Sequence, residues 1–185
     1  MRSARALGLV LLMGLGLLGL GGLDSARAAA ADEINASANA TLHKFVSQYQ
    51  SAQELGTKAA GALVFPSVVK AGLGFGGAYG EGVLIVHGNP AGYYNMVSAS
   101  FGFQLGVQAQ SVIILFMTED ALKQFEQSYG WKVGVDGSVV VVNLGAAGSV
   151  DTNSLTSPIL GFIFDQEGLM YSLSLEGSKI SRITP

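Results

Sequence analysis

Apolar residues in the first third of the chain recur at the spacing of one helix face. Between Ala31 and about Ala60 they fall at i, i+3, i+4 and i+7, namely at Leu42, Phe45, Val46 and Tyr49, with Ala38, Ala52 and Leu55 extending the stripe. This period predicts an amphipathic helix. The helix is expected to pack on the domain core, as such helices of globular proteins do. Contact with a membrane is the alternative, and the few lysines on the polar face weaken it.

Beyond Pro66 the pattern changes to apolar runs separated by turn residues, which is typical of strands. The residue before a proline avoids helical geometry, so LVFPSVVKA is expected to be extended or turning. The sequence HGNPAG, which begins at His87, is a turn cluster. The strands predicted on either side of it are Val83–Val86, Tyr93–Phe103 and Gln108–Met117.

A second helix is predicted over Glu119–Tyr129. Thr118 can cap its N-terminus, and Leu122, Phe125 and Tyr129 share one face. The sequence GWKVGVDGSVVVVNLG that follows predicts a strand pair, with a tight turn at Asp136-Gly137.

The C-terminal part begins with AGSVDTNSLTSP, which has the composition of a loop. Three strands are predicted after it, separated by turns at Asp165–Gly168 and at Glu176-Gly177. Together the elements predict an α+β domain. Its sheet would be a curved antiparallel sheet or sandwich of many short, glycine-rich strands, with an N-terminal helix and one mid-chain helix.

The densest glycine cluster lies in KAGLGFGGAYGEGVLIV, Lys70–Val86. It contains a G-x-G-x-x-G match at Gly72, Gly74 and Gly77, the pattern of a dinucleotide-binding loop. Such a loop needs a helix after it and an acidic residue about twenty positions further on. A strand-forming run follows instead, and no acidic residue stands between Glu81 and Glu119. The sequence therefore argues against a nucleotide site.

The same glycines have a consistent meaning in strand geometry, because successive side chains of a strand point to opposite faces. Gly72, Gly74 and Gly76 would share one face, and Gly80 and Gly82 would again share a face. Faces of small residues allow a helix, another strand or a ligand to approach the backbone closely. Two main interpretations remain: a helix packs closely against these small-residue faces, or the faces form a groove for a ligand.

The N-terminus has the features of an export signal. Arg2 and Arg5 precede an apolar run to Leu23, and Ala26-Arg27-Ala28 fits an A-x-A cleavage site. The predicted organisation is a signal peptide at 1–28 and a single domain at 29–185, an uncleaved anchor being the alternative. Cleavage would remove three of 10 basic and one of 13 acidic side chains and leave a formal charge of −5. A chain with that net charge lacks the basic surface that is typical of a nucleic-acid-binding protein.

Residues that carry chemistry are sparse. The chain has no cysteine, so it has no disulfide, no thiol nucleophile and no site for a lipoprotein anchor. Its two histidines, His43 and His87, have no neighbour at metal-ligand spacing. No nucleophile elbow is present. We therefore expect a non-enzymatic protein without catalytic residues, metal or cofactor.

Four segments occur in an order that is similar to one known family. They are LVFPSVVKAGLGFGGAYGEGVL, SASFGFQLGVQAQSVIILFM, WKVGVDGSV and GLMYSLSLEGSKI. Together they resemble the SYLF domain, a lipid-binding module that also binds actin in fungal members. The resemblance covers Ala52 to Ile183, and its most specific parts are the glycine block and S-L-E-G-S-x-I.

The resemblance implies a non-enzymatic phospholipid-binding module of the bacterial cell envelope. Lys70 matches a basic position of the glycine-block motif, and Lys58 lies just upstream. The expected lipid-binding residues are Lys58, Lys70, Gly74, Phe75 and Gly80. Each lysine near an anionic membrane contributes only about 1 kcal/mol, so apolar burial must supply most of the binding.

Export and the absence of cysteine predict a periplasmic or envelope-associated protein. We expect membrane phospholipids as partners, and we expect the protein to bind neither nucleic acid nor actin. The alternative is a structural or protein-interaction module of the periplasm that binds another envelope protein and no lipid.

Overall fold

A computed structural model describes residues 8–143, 156–168 and 175–185 of the chain. In chain order, its elements are helices and strands with the following bounds: α1 Gly8–Gln48, α2 Gln50–Lys58, β1 Gly61–Val86, β2 Asn89–Phe116, α3 Glu119–Glu126, β3 Trp131–Lys132, β4 Val140–Asn143, β5 Ile159–Gly168 and β6 Lys179–Ile183. The predicted α+β class is confirmed. The loop predicted at 147–158 falls largely outside the described residues, as does the strand predicted after Gly168.

The predicted N-terminal helix is confirmed as two helices. α1 and α2 are separated at Tyr49, whose backbone is extended. Ala38, Phe45, Ala52 and Leu55 of the predicted stripe are buried against the sheet. Phe45 contacts the rings of Phe162 and Phe164 on β5, with centroids 5.0 and 5.4 Å apart. Most of the stripe therefore packs on the domain core, as expected, whereas Val46 remains 40% exposed.

The centre of the fold is a single antiparallel hairpin of two very long strands, β1 and β2. The sequence predicted shorter, separate strands here, and that prediction was wrong. The connection is a two-residue turn, as the cluster HGNPAG predicted. His87 and Gly88 both have positive φ, 50° and 78°, which gives a two-residue hairpin the twist of its flanking strands.

Irregularities in the pairing allow this hairpin to bend instead of running straight. One lies between Phe65 and Val68, and a second lies between Leu73 and Phe75. At the first, the Ser111 hydroxyl donates to the Pro66 carbonyl oxygen at 2.8 Å. Proline lacks an N–H group for strand pairing, so a bulge is one of the few places where a strand tolerates it.

The remaining strands extend β2 on its other side. β5 pairs with the half of β2 near Phe116, and β6 pairs with the half near the turn. β3 adds to β6, and β4 adds to β5 in parallel. The predicted pairing of β3 with β4 across Asp136-Gly137 was therefore wrong, and β4 adds a parallel pairing to the curved antiparallel sheet that was predicted.

Three further local predictions concern α3 and two turns in the C-terminal part. α3 is capped by Thr118, whose hydroxyl accepts from the Ala121 N–H at 3.3 Å, but the helix ends at Glu126 and Tyr129 is fully exposed. The turn predicted at Asp165–Gly168 lies inside β5, where Asp165 has a φ of 53°. The turn at Glu176-Gly177 is confirmed.

The sheet buries both of its faces. Val112, Ile114 and Phe116 pack on one side with α3 and Trp131, while Ile113 and Leu115 pack on the other with α1 and α2. This alternation follows the two-residue period of a strand. It explains why the sequence of β2 is continuously apolar here and does not alternate with polar residues.

Two glycines make the bend of the hairpin possible. A Cβ added at Gly80 would lie 2.7 Å from the Ser67 carbonyl oxygen, and one added at Gly82 would collide with the Val64 carbonyl oxygen. The early part of β1 thus crosses its own later part in backbone contact. The close approach that the sequence predicted is present, but its occupant at these two positions is another part of the same strand.

This contact predicts that Gly82→Ala destabilises the protein by about 3 kcal/mol, because backbone atoms of Val64 and the ring of Phe65 would have to move. Urea denaturation followed by circular dichroism measures the loss. Gly56→Ala in α2 is the matched control, since nothing lies within 4 Å of its added Cβ. Ala favours a helix by up to about 1 kcal/mol over Gly, so the control should be neutral or stabilising. Equal stability of Gly82→Ala and the wild type would contradict the proposed contact.

Candidate functional site

An open surface concavity lies beside the crossing of β1. We call it the bend groove, and its volume is about 750 Å³. One wall comes from α1, and the other comes from the two parts of β1 with the adjoining strand β2. The lining residues are Ala30, Glu33, Ile34, Ser37, Pro66, Ser67, Val69, Ala71, Gly77, Ala78, Tyr79, Gly80, Glu81, Val97 and Ser98.

Three large apolar side chains of the groove remain accessible to solvent. Val69 is 44% exposed, Tyr79 is 50% exposed and Val97 is 46% exposed. Tyr79 and Val97 are paired across the hairpin, and the bend brings Val69 from the early part of β1 to the same groove. Val69 follows the buried Val68, so its side chain points out of the core at the position where the strand alternates. The result is a contiguous apolar surface between the sheet and α1.

The charged residues that line the groove, within the described part of the chain, are both acidic. Glu33 lies on α1, and Glu81 lies on β1. The Tyr79 hydroxyl donates a hydrogen bond to Glu81, and this bond raises the pKa of Tyr79 above its ordinary value, with burial adding to the shift. The bond also fixes the Glu81 carboxylate beside the Tyr79 ring.

The lysines predicted to contact lipid do not line the groove. Lys58 lies on α2 and forms an exposed ion pair with Glu54 at 2.6 Å. Lys70 alternates with Val69 and Ala71 along β1 and therefore points to the opposite face of the strand. It is half-buried, and burial lowers the pKa of its ammonium group. The structure therefore does not bring Lys58, Lys70 and the apolar groove into one site.

The glycine-block residues of the predicted site are placed differently from one another. Gly80 lines the groove through its backbone. The space that a side chain at this position would take is occupied by Ser67 and Val68. Gly74 lies at the pairing irregularity between Leu73 and Phe75. The side chain of Phe75 lies outside the described residues, although its backbone pairs with Phe101.

A polar pair on the other face of the hairpin was not anticipated. Gln108 lies directly opposite Lys70, and Gln110 lies two residues further along β2. Both are fully buried, and in the described structure both amide atoms of Gln110 and the carbonyl oxygen of Gln108 have no hydrogen-bond partner. Such atoms cost about 1–3 kcal/mol each. Glutamines at alternate positions before an apolar run were the sequence signal for this feature.

Other kinds of site find little support in the described residues. No group of three or more His, Cys, Asp or Glu side chains lies close enough to hold a metal ion there. Within the same residues, no helix combines the length and apolar character that a bilayer crossing requires.

A bent two-sided sheet with a flanking helix and an open apolar groove defines an α+β domain with a candidate binding surface. Residues 97–184 match the family model described as Ysc84: Las17-binding protein actin regulator. Residues 97–184 therefore belong to this family, which carries the SYLF domain, and over that part the resemblance seen in the sequence is confirmed. The match begins in β2, so the glycine block at Lys70–Val86 lies outside the matched residues. No curated protein gave a match to the chain.

Membership in this family is consistent with a non-enzymatic binding module. The groove residues Val69, Tyr79 and Val97 were missed as candidates from sequence. Alternation alone separates the two faces of a strand, but when both faces carry apolar residues it does not say which one stays open.

Proposed function

We propose that this protein is a phospholipid-binding module of the bacterial cell envelope and that the bend groove receives the apolar part of the lipid. The observation that carries the proposal is the convergence of Val69, Tyr79 and Val97, each about half exposed, in one groove. Large apolar side chains that stay exposed together mark interaction sites. The lipid binding implied by the SYLF resemblance supports the same conclusion.

Apolar burial supplies the binding energy in this proposal. Each CH₂ group that leaves water contributes about 0.8 kcal/mol, so a few methylenes against Val69 and Val97 exceed the contribution of a single lysine near a headgroup. The volume of the groove lies within the range of roughly 300–1,000 Å³ that small-molecule sites occupy. Lys58, exposed on α2, remains a candidate for headgroup contact outside the groove.

The second candidate is a protein-interaction module of the periplasm. The same exposed apolar surface favours it, because side chains of this kind also bind partner chains. Actin is not proposed as the partner, although the family description names an actin regulator. The predicted export would separate the protein from actin.

Export and cleavage after Ala28 form part of this proposal. Residues 26–29 of α1 are exposed, and contacts with the groove begin at Ala30. Removal of residues 1–28 would therefore leave the groove residues of α1 in place.

N-terminal sequencing of protein from the periplasmic fraction is expected to start at Ala29. Full-length protein retained in the cytoplasm would contradict the proposed export, and full-length protein in the membrane fraction would favour the uncleaved anchor.

Val69→Asp is expected to lower binding to phospholipid vesicles at least tenfold, because the acyl part would lose an apolar contact and would lie against a charge instead. Val97→Asp, on a different strand, should act in the same direction. Vesicle co-sedimentation at low salt measures the effect, with circular dichroism and thermal melting to confirm folding. Val135→Asp is the matched control, since Val135 is 75% exposed on a turn outside the groove.

Absence of vesicle binding by the wild-type protein would overturn the lipid proposal. A folded Val69→Asp variant that binds vesicles as tightly as the wild type would show that the bend groove is not the lipid site. Stoichiometric recovery of another envelope protein, sensitive to Val69→Asp and indifferent to vesicles, would establish the second candidate instead.

A further inference from the structure

The charges of the bend groove have one sign, and they lie on two walls. Glu33 comes from α1 and Glu81 comes from β1, while no lysine or arginine stands among the described lining residues. Neither carboxylate forms a salt bridge with a cation in the described part of the chain. An apolar groove flanked by two unneutralised carboxylates is electrostatically complementary to an apolar ligand that carries a positive charge.

We infer that the bend groove selects phospholipids whose headgroup bears a primary ammonium, the ethanolamine class, over anionic headgroups. The inference rests on the proposed function, since it names the lipid that the same groove would take. The acyl part would lie against Val69 and Val97, with the ammonium between Glu33 and Glu81.

Hydrogen bonding adds a second level of discrimination. A primary ammonium donates three hydrogen bonds, and a carboxylate only accepts them. A quaternary ammonium has no N–H group, so it would gain the Coulomb attraction without the charge-assisted hydrogen bonds. The groove should therefore distinguish ethanolamine from choline headgroups, although both carry one positive charge.

The groove also offers partners for the phosphate of such a lipid. The hydroxyls of Ser37, Ser67 and Ser98 line the same space and can donate hydrogen bonds without adding charge. An anionic lipid would need to place its net negative charge beside Glu33 and Glu81, which like-charge repulsion disfavours. The net charge of −5 expected after cleavage acts in the same direction.

Co-sedimentation with three vesicle types tests this inference: phosphatidylcholine alone, an equimolar mixture with phosphatidylethanolamine, and an equimolar mixture with phosphatidylglycerol. At low salt we expect at least about fivefold tighter binding to the ethanolamine mixture than to phosphatidylcholine, since one additional charge-assisted hydrogen bond contributes at least about that factor. Phosphatidylglycerol should give no gain.

The double variant Glu33→Gln, Glu81→Gln should lose the preference and bind the phosphatidylcholine vesicles and the ethanolamine mixture alike. Asp32→Asn is the matched control. It removes the same charge from the neighbouring position of α1, but Asp32 does not line the groove. Its preference for ethanolamine vesicles should match the wild type.

Equal wild-type binding to the choline and ethanolamine vesicles overturns the inference and leaves the proposed function standing, and so does a preference for phosphatidylglycerol. Persistence of the ethanolamine preference in the folded double variant also overturns it. Absence of binding to any vesicle overturns both proposals, as does capture of a basic protein in place of vesicles.

Discussion

The contact of β1 with itself at Gly80 and Gly82 is the constraint on which the rest of the structure depends. Backbone atoms of Val64 and Ser67 occupy the space where side chains would otherwise stand. A hairpin of this length would otherwise extend as a long twisted ribbon. Because its two parts cross, the sheet closes around one core, and its outer face is covered by α1 and α2.

The same crossing creates the groove. Where the two parts of β1 separate again, the strand alternation places Val68 in the core and Val69 outside it. Val97 and Tyr79 reach the same opening from the later half of the hairpin, and α1 closes the other side with Ile34. The candidate site is therefore a consequence of the bend, and it needs no loop or separate domain to form it.

Much of this fold could be predicted from local patterns. The apolar stripe through Phe45 predicted the packed helix, and the sequence at His87-Gly88 predicted the hairpin turn. The spacing of Gly80 and Gly82 predicted a close backbone approach. The occupant of that approach could not be predicted, because it lies about fifteen residues away along the same strand and alternation carries no information on such pairings. The parallel pairing of β4 with β5 escaped prediction for the same reason.

The site was less predictable than the fold. A family motif drew attention to Lys70, whereas the bend turns Lys70 away from the groove and exposes its neighbour Val69. Which of two adjacent strand residues faces solvent depends on how the hairpin curls. The placement of both carboxylates in one groove depends on the packing of α1. Glu33 and Glu81 are 48 residues apart in the sequence and come together only across the folded groove.

Photo-crosslinking tests most directly whether the bend groove holds lipid. Vesicles containing a phospholipid with a photoreactive acyl chain would be irradiated with the protein, and the labelled peptides would be located by mass spectrometry. The account predicts labels on the segments around Val69, Tyr79 and Val97. Labels confined to the turn at Val135, or to the face of the hairpin that carries Gln108 and Gln110, would contradict it.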